Sequence, residues 1–328
     1  MPTLNVHLSS NRDLPNLDLL RNYISDDVCL TTGESVPAEA DIHILINGRP
    51  TSEEIENNPN LHTVIIPWAG IPPKTGQLLK NHPHISVHNL HHNALPVAET
   101  VFALYLAAAK QLLPHDKTFR QNDWTLRYAS DDRSPLIRDQ RALILGYGAI
   151  GRQVARYCQA FGMELSAIRR SVNEKSVDAL GTAVYPPASL HNLLPQTNAL
   201  FISLPLTDET EDMIGKRELA LLPDGATIIN VGRAKIIQEV ALFEALKNGR
   251  LRAGLDVWYT YPKDEAARAN TAPANFPFND LPNVILSPHR AGLSSSTEQL
   301  RMEALGKMIE TAVAGKTLPN KMDLDKGY

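Results

Sequence analysis

The sequence predicts an α/β protein of two doubly wound parallel-sheet domains. Short β-branched runs alternate with helical stretches along the chain, in two series that meet near one long apolar helix. The 328 residues exceed what one hydrophobic core ordinarily serves. Repeated strand–helix–strand units require parallel sheets covered on both faces.

The first series reads Val6–Leu8, Ile42–Ile46, Thr63–Ile66 and Ile85–Val87 as buried strands. One apolar helix is expected over 95–113, opened by Pro96, followed by a polar stretch over 120–140 without clear periodicity. The second series is Ala142–Leu145, Leu165–Ile168, Leu200–Leu204, Thr227–Val231, Gly254–Val257 and Val284–Leu286, each bounded by Gly, Pro or Asn. A closing helix is expected over 295–314. Between Trp258 and Asn283 lies a long loop with four prolines, and unstructured loops of that length are usually functional or mobile.

Composition narrows the class. Apolar residues make up 43% and charged residues 21%, the balance of a folded chain. With 32 basic and 36 acidic residues the net charge is −4, and no basic run offers a surface to nucleic acid or anionic lipid. Cys29 and Cys158 lack metal-ligand spacing and exclude a disulfide framework, which fits a reducing compartment. The N-terminus lacks a basic segment followed by an apolar one, so a cytoplasmic location is expected. The apolar run over 97–109 contains Glu99 and is too short to span a bilayer.

The strongest local motif is Gly146-Tyr147-Gly148-Ala149-Ile150-Gly151, which directly follows a strand and opens a helix. Gly146 permits a tight turn, Gly148 lets a pyrophosphate approach the backbone, and Gly151 lets the helix pack against the strand. The helix N-terminus then offers free N–H groups to the anion. An acid at the end of the next strand would bind a ribose 2′-hydroxyl. This chain has Arg169-Arg170-Ser171 there, and guanidinium forks match phosphate oxygens. The expected cofactor is NADP(H), with NAD(H) second.

Several further segments identify a resemblance: Leu204-Pro205-Leu206-Thr207-Asp208-Glu209-Thr210, Ile229-Asn230-Val231-Gly232-Arg233, Ala253-Gly254-Leu255-Asp256-Val257-Trp258 and Ser287-Pro288-His289-Arg290-Ala291-Gly292. With the glycine loop, the segment from Asn93 to Glu99, and Pro67-Trp68-Ala69-Gly70, they resemble the D-isomer-specific 2-hydroxyacid dehydrogenases. The resemblance implies a flavodoxin-like substrate domain (1–107 plus 293–328) interrupted by a Rossmann dinucleotide-binding domain (108–292). It also implies an active site between the two and a homodimer held through the cofactor domain.

By resemblance, Leu204, Pro205, Leu206, Thr210, Val231 and Gly232 flank the cofactor, and Asp256 meets the nicotinamide. The backbone of Ala69 and Gly70 binds the substrate carboxylate, beside Trp68 and Asn93. Arg233 matches the substrate arginine: a planar guanidinium grips a carboxylate and polarises the adjacent carbonyl. His289 matches the acid/base, for which an imidazole is suited by its ordinary pKa. His91 and His92 form a rival pair, read as structural. Where the family places a glutamate to orient that histidine, this chain has Tyr261, before Pro262. Either Asp264 or Glu265 reaches back from the long loop, or His289 works without a carboxylate, and the second is our expectation.

The activity implied is hydride transfer between a nicotinamide and a small 2-keto or 2-hydroxy acid resembling glyoxylate or hydroxypyruvate. The missing glutamate leaves two alternatives open: a nucleotide-sensing protein on the same scaffold, and a dehydrogenase of formate or phosphite.

Overall fold

The computed structural model describes residues 4–9, 17–37, 40–129 and 133–325. Residues 1–3, used in reading the N-terminus, and 130–132, within the polar stretch, lie outside them. The chain divides into two compact units, one formed by 1–93 with 294–328 and the other by 94–293.

The first unit carries five parallel strands: β1 (Leu4–Ser9), β2 (Val28–Gly33), β3 (Ile44–Ile46), β4 (Thr63–Ile66) and β5 (Ser86–Asn89). Their order is β2-β1-β3-β4-β5, the arrangement of a flavodoxin-like sheet. Successive side chains point to opposite faces of a strand, and here both faces are apolar. Ile44, Ile46 and Ile65 pack with Met302, Leu305 and Ile309 of the closing helix Thr297–Val313. Leu45, Val64 and Ile66 pack with Ile55 and Leu79 on the other face. Covering on both sides is why these strands read as unbroken apolar runs. Each fully buried Leu or Ile contributes about 1.5–3 kcal/mol relative to exposure.

The second unit carries β6 (Arg141–Leu145), β7 (Glu164–Ile168), β8 (Ser176–Val177), β9 (Ala183–Tyr185), β10 (Ala199–Ile202), β11 (Thr227–Asn230), β12 (Arg252–Leu255) and β13 (Val284–Leu286). Their order is β13-β12-β11-β10-β6-β7-β9-β8. All pairings are parallel except β8 with β9. The order reverses at β6 and β10, and the glycine loop leaves β6 at that point. Crevices that take ligands in such sheets lie there, beyond the carboxyl ends of the strands.

The long helix runs over Ala94–Ala109 and ends earlier than expected. Gln111 takes a left-handed conformation (φ 53°), and a second helix, Leu112–Phe119, begins after it. Pro114 explains the break, since its ring and missing N–H do not fit inside a continuous helix. The long helix packs against β11, β12, β13 and the helix Ala149–Ala160. It therefore belongs to the second compact unit, which opens at Ala94 rather than at the expected 108. The loop after β12 is also more ordered than its composition suggests. Phe278 is buried in the core, the Tyr259 hydroxyl donates to the Ile237 carbonyl at 2.7 Å, and Tyr259 and Thr260 N–H both donate to the Pro273 carbonyl. No helix among the described residues is long and apolar enough to cross a membrane.

Candidate active site

The glycine loop meets each geometric demand the sequence places on it. Gly146 has φ +96°, and a Cβ there would stand 2.9 Å from the Ser203 carbonyl. A Cβ on Gly151 would stand 2.2 Å from the Gly146 oxygen, inside van der Waals contact, so only glycine lets the helix approach. A Cβ on Gly148 would meet no protein atom within 4 Å. The fold does not need glycine there, and the bare backbone faces open space at a helix N-terminus with no side-chain cap. Such unfilled N–H groups suit a pyrophosphate. Ala149 and Ile150 supply the first helical turn.

Tyr147 points away from that space. Its buried hydroxyl donates to Asp178 at 2.6 Å and lies 2.9 Å from the Thr182 hydroxyl, tying the loop to the β8–β9 hairpin. Any cofactor contact at this position is through the backbone. Arg169, Arg170 and Ser171 follow β7 and are exposed, with Arg170 3.9 Å from Glu209. Two guanidinium groups thus follow the end of β7, and no carboxylate occupies it.

Beyond β10, Leu204 and Pro205 lead into a local turn. The Thr210 hydroxyl donates to the Pro205 carbonyl at 2.7 Å and accepts the Thr207 N–H at 2.8 Å. The Thr210 side chain is therefore occupied in holding this segment. A Cβ on Gly232 would lie 2.6 Å from the Leu204 oxygen, so the β11 corner and the Pro205 segment are in direct contact.

Arg233 sits just past β11 at a corner that includes Val231 and Gly232. The buried Asn230 side chain shapes it, donating to the Arg233 carbonyl at 3.0 Å and accepting the Gly232 N–H at 3.0 Å. Sequence reading missed this role. An Asn two residues before a Gly, at a strand end, is its only signal, since short polar side chains commonly close on nearby backbone. The exposed guanidinium donates to the Gly232 carbonyl at 2.7 Å.

Asp256, at the end of β12, is 1% exposed and fully engaged. One oxygen accepts the Ser287 hydroxyl and, at 2.8 Å, the Arg290 N–H; the other accepts the Ala291 N–H at 3.0 Å. These bonds clamp the turn after β13. At its centre His289 has φ +56°, a left-handed conformation sparsely populated by residues other than glycine. Trp258 adds a further tie, its indole N–H donating to the Ser287 carbonyl at 2.8 Å.

The partner of His289 Nδ1 is the Tyr261 hydroxyl, at 3.0 Å. The same hydroxyl oxygen accepts the Trp258 N–H at 3.1 Å. Asp264 instead accepts the Ala267 N–H at 2.9 Å, and Glu265 pairs with Arg268. The loop carboxylates are engaged locally. Loss of hydration lowers the His289 pKa, Asp256 raises it, and the Arg233 charge lowers it. Burial raises the Tyr261 pKa, and the Trp258 N–H and Arg233 oppose that rise. Arg233 therefore acts electrostatically on both members of the pair.

The remaining expected site residues lie in the first unit. Trp68 fills the space above Gly48, where a Cβ would stand 2.0 Å from its ring, and Arg49 lies 5.3 Å from the ring centre. Ala69 and Gly70 follow it, Gly70 with φ +83°. Asn93 ends the first segment of this unit. His92 receives the Arg301 Nε at 3.4 Å; burial, Arg301 and His91 push its pKa down to about 4. Burial lowers the His91 pKa as well.

Residues 102–291 match the family described as D-isomer specific 2-hydroxyacid dehydrogenase, NAD binding domain. A glyoxylate reductase of Aeropyrum pernix is 36% identical over 231 residues, covering 68% of this chain and 64% of its own length. A glycerate dehydrogenase of Methylorubrum extorquens is 30% identical over 237 residues, 71% of this chain and 69% of that protein. The matched stretch thus spans just under two thirds of the Aeropyrum protein. Among solved structures, a D-isomer specific 2-hydroxyacid dehydrogenase of Xanthobacter autotrophicus, in complex with NADPH, superposes with a TM-score of 0.80 at 22% identity, over 99% of this chain and 100% of that one. An NADPH-dependent glyoxylate/hydroxypyruvate reductase of Sinorhizobium meliloti, in complex with NADP and sulfate, gives 0.77 at 23%, over 99% and 100%. At those identities the structural likeness speaks to the fold alone. The sequence match decides membership: this chain belongs to the D-isomer specific 2-hydroxyacid dehydrogenase family.

Proposed function

We propose that this protein reduces a small 2-keto acid of the glyoxylate or hydroxypyruvate type to the corresponding 2-hydroxy acid, using NADP(H) in preference to NAD(H). One observation carries the reading. Arg233 and His289 stand at the carboxyl ends of β11 and β13, in the same sheet as the glycine loop, with the Arg233 charge acting on the imidazole.

When bound, the reduced nicotinamide supplies a hydride. Arg233 binds the substrate carboxylate and stabilises negative charge on the 2-oxygen as it develops. His289 delivers a proton to that oxygen, or removes it in the reverse direction. Tyr261 holds the imidazole at Nδ1, and Asp256 holds the turn that carries it. Within the first unit, we assign the backbone of Ala69 and Gly70, with Trp68 and Asn93, to substrate recognition. Along the cofactor we place Gly146 to Gly151, Leu204, Pro205, Thr210, Val231 and Gly232; Asp256, expected from the sequence to meet the nicotinamide, is instead buried in its clamp on the turn after β13. Arg169 and Arg170 with Ser171 take the 2′-phosphate, and two arginines favour NADP(H) for the reason that a guanidinium fork matches phosphate.

We assign a homodimer to the second unit. Leu112, Leu113, Phe119, Trp124, Tyr128 and Leu136 are large apolar side chains exposed within one short stretch, Tyr128 by 79% and Leu136 by 73%. Exposed apolar patches of this kind mark contact surfaces, and a second copy is the occupant our reading places there. The two free cysteines, one buried, accord with a cytoplasmic setting.

The test is NADPH and NADH oxidation against a panel of 2-keto acids, with Arg233→Ala and His289→Ala as controls. The phenol in place of a carboxylate on His289 supports a second reading, a nucleotide-sensing protein on the same scaffold. Binding of NADPH with no turnover across the panel would favour it. NADP+ reduction by formate or phosphite would instead assign the third reading.

A further inference from the structure

We infer that the Tyr261 hydroxyl sets the tautomer of His289: its O–H donates to Nδ1, so the neutral ring carries its proton on Nε2. The argument is a donor and acceptor count. A phenol has one hydrogen to give, and its oxygen here already accepts the Trp258 N–H at 3.1 Å. Among the described residues, the acceptor placed against that hydroxyl is His289 Nδ1, at 3.0 Å. An imidazole nitrogen that accepts is unprotonated, so the ring proton resides on the other nitrogen. A carboxylate at this position would do the opposite, since it only accepts and would draw the proton onto Nδ1.

The charged and titratable groups acting on the ring within its unit are Tyr261, Asp256 and Arg233. Asp256 raises the histidine's proton affinity without being the partner of Nδ1, since its carboxylate bonds Ser287, Arg290 and Ala291 while Nδ1 faces the Tyr261 hydroxyl. It therefore does not undo the tautomer. The position of the Tyr261 oxygen is fixed by backbone, not by a mobile side chain, since Trp258 is itself tied to Ser287 through its indole.

The kinetic consequence rests on the proposed reduction. To take the hydroxyl proton in oxidation, His289 must present a lone pair on Nε2, and the favoured neutral tautomer presents an N–H instead. Oxidation therefore proceeds from a minority form at every pH. In reduction the doubly protonated ring still donates from Nε2, but the tyrosine bond stabilises the neutral form with which it competes. The same hydrogen bond thus lowers the alkaline plateau of oxidation and moves the reductive limb toward acid, by one common factor. Tyr261 is a positioning residue: it acts through His289 and transfers no proton of its own.

Two measurements test this. In the 15N-histidine-labelled protein, with His289→Asn used for assignment, the neutral His289 resonance is expected to show a protonated Nε2 and an unprotonated Nδ1. A protonated Nδ1 overturns the inference, whether or not any 2-keto acid is turned over. In Tyr261→Phe, the oxidation plateau rises about fivefold and the reductive limb moves up by the same factor, just under about one pH unit, the scale of one neutral hydrogen bond. Tyr261→Glu moves the limb further up and its Nδ1 becomes protonated. Loss of both plateaus with the limb unmoved would show a merely structural role for Tyr261 and overturn the inference. Absence of turnover throughout the keto-acid panel would contradict the proposed function while leaving the tautomer measurement to decide this one.

Discussion

The buried carboxylate of Asp256 holds the two N–H groups that immediately follow His289, those of Arg290 and Ala291 at 2.8 and 3.0 Å. The strained φ of +56° at His289 is maintained by this grip. Replacing Asp256 with Ala leaves the Ser287, Arg290 and Ala291 donors unpaired. We expect a loss of about 3 kcal/mol or more in denaturant unfolding, and a fall in kcat that persists at temperatures where the variant is fully folded. Unchanged kcat in the folded variant would separate the clamp from the chemistry.

Gly148 and Gly146 predict opposite outcomes. A Cβ on Gly148 meets no protein atom, so Gly148→Ala should unfold like the parent yet bind NADPH far more weakly, because the methyl enters the space at the helix N-terminus. Gly146→Ala introduces a clash with Ser203 at positive φ and should lower stability by about 1–3 kcal/mol. Titration of NADPH fluorescence together with urea unfolding distinguishes the two effects.

Arg169→Asp should weaken NADPH binding by about 10- to 100-fold, the loss of one charge-assisted contact plus a like-charge repulsion. NADH binding should hold or improve, since a carboxylate there accepts from a ribose 2′-hydroxyl. Parallel calorimetric titrations with both cofactors measure this. An unchanged ratio would reject the phosphate assignment.

Acid should destabilise the first unit before carboxylates titrate. His7, His88 and His92 are all lowered from the ordinary value, chiefly by burial, His92 to about 4. Groups held neutral in the fold bind fewer protons than in the unfolded chain. Their contribution is complete above about pH 6.5 and is lost as pH falls from there toward about 4. The urea midpoint should therefore drop between pH 7.5 and 5, and less steeply in His92→Gln.

What the sequence disclosed follows burial. Thr63–Ile66 and Val284–Leu286 were legible to the residue, since covered strands are continuous apolar runs. β2 (Val28–Gly33) was missed: it is an edge strand whose exposed Cys29 and Thr32 and half-exposed Thr31 break the pattern. β8 and β9 were missed because they are only two and three residues long, with β8 at the other sheet's edge and β9 beside it. The glycine loop was legible because its spacing encodes backbone geometry. The absence of a glutamate at Tyr261 was legible too. That its hydroxyl bridges the Trp258 N–H and His289 was not, because those bonds depend on how the 258–261 segment folds back toward the β13 turn. The clamp by Asp256 joins groups 31 to 35 residues apart, beyond the reach of local pattern.

The central claim is that Arg233 and His289 act together on one 2-keto acid, and the most direct measurement is the pH dependence of NADPH-coupled reduction in the parent, Arg233→Lys and His289→Ala. His289 has its pKa below the ordinary 6.5, so the parent's rate should decline as pH rises through a value under 6.5, where the ring loses its second proton. Arg233→Lys keeps the charge but not the fork, and should lose about 100-fold or more in kcat/KM with the limb retained. His289→Ala should lose the limb altogether. A parent profile flat across this range, or a limb that survives in His289→Ala, would contradict the assignment.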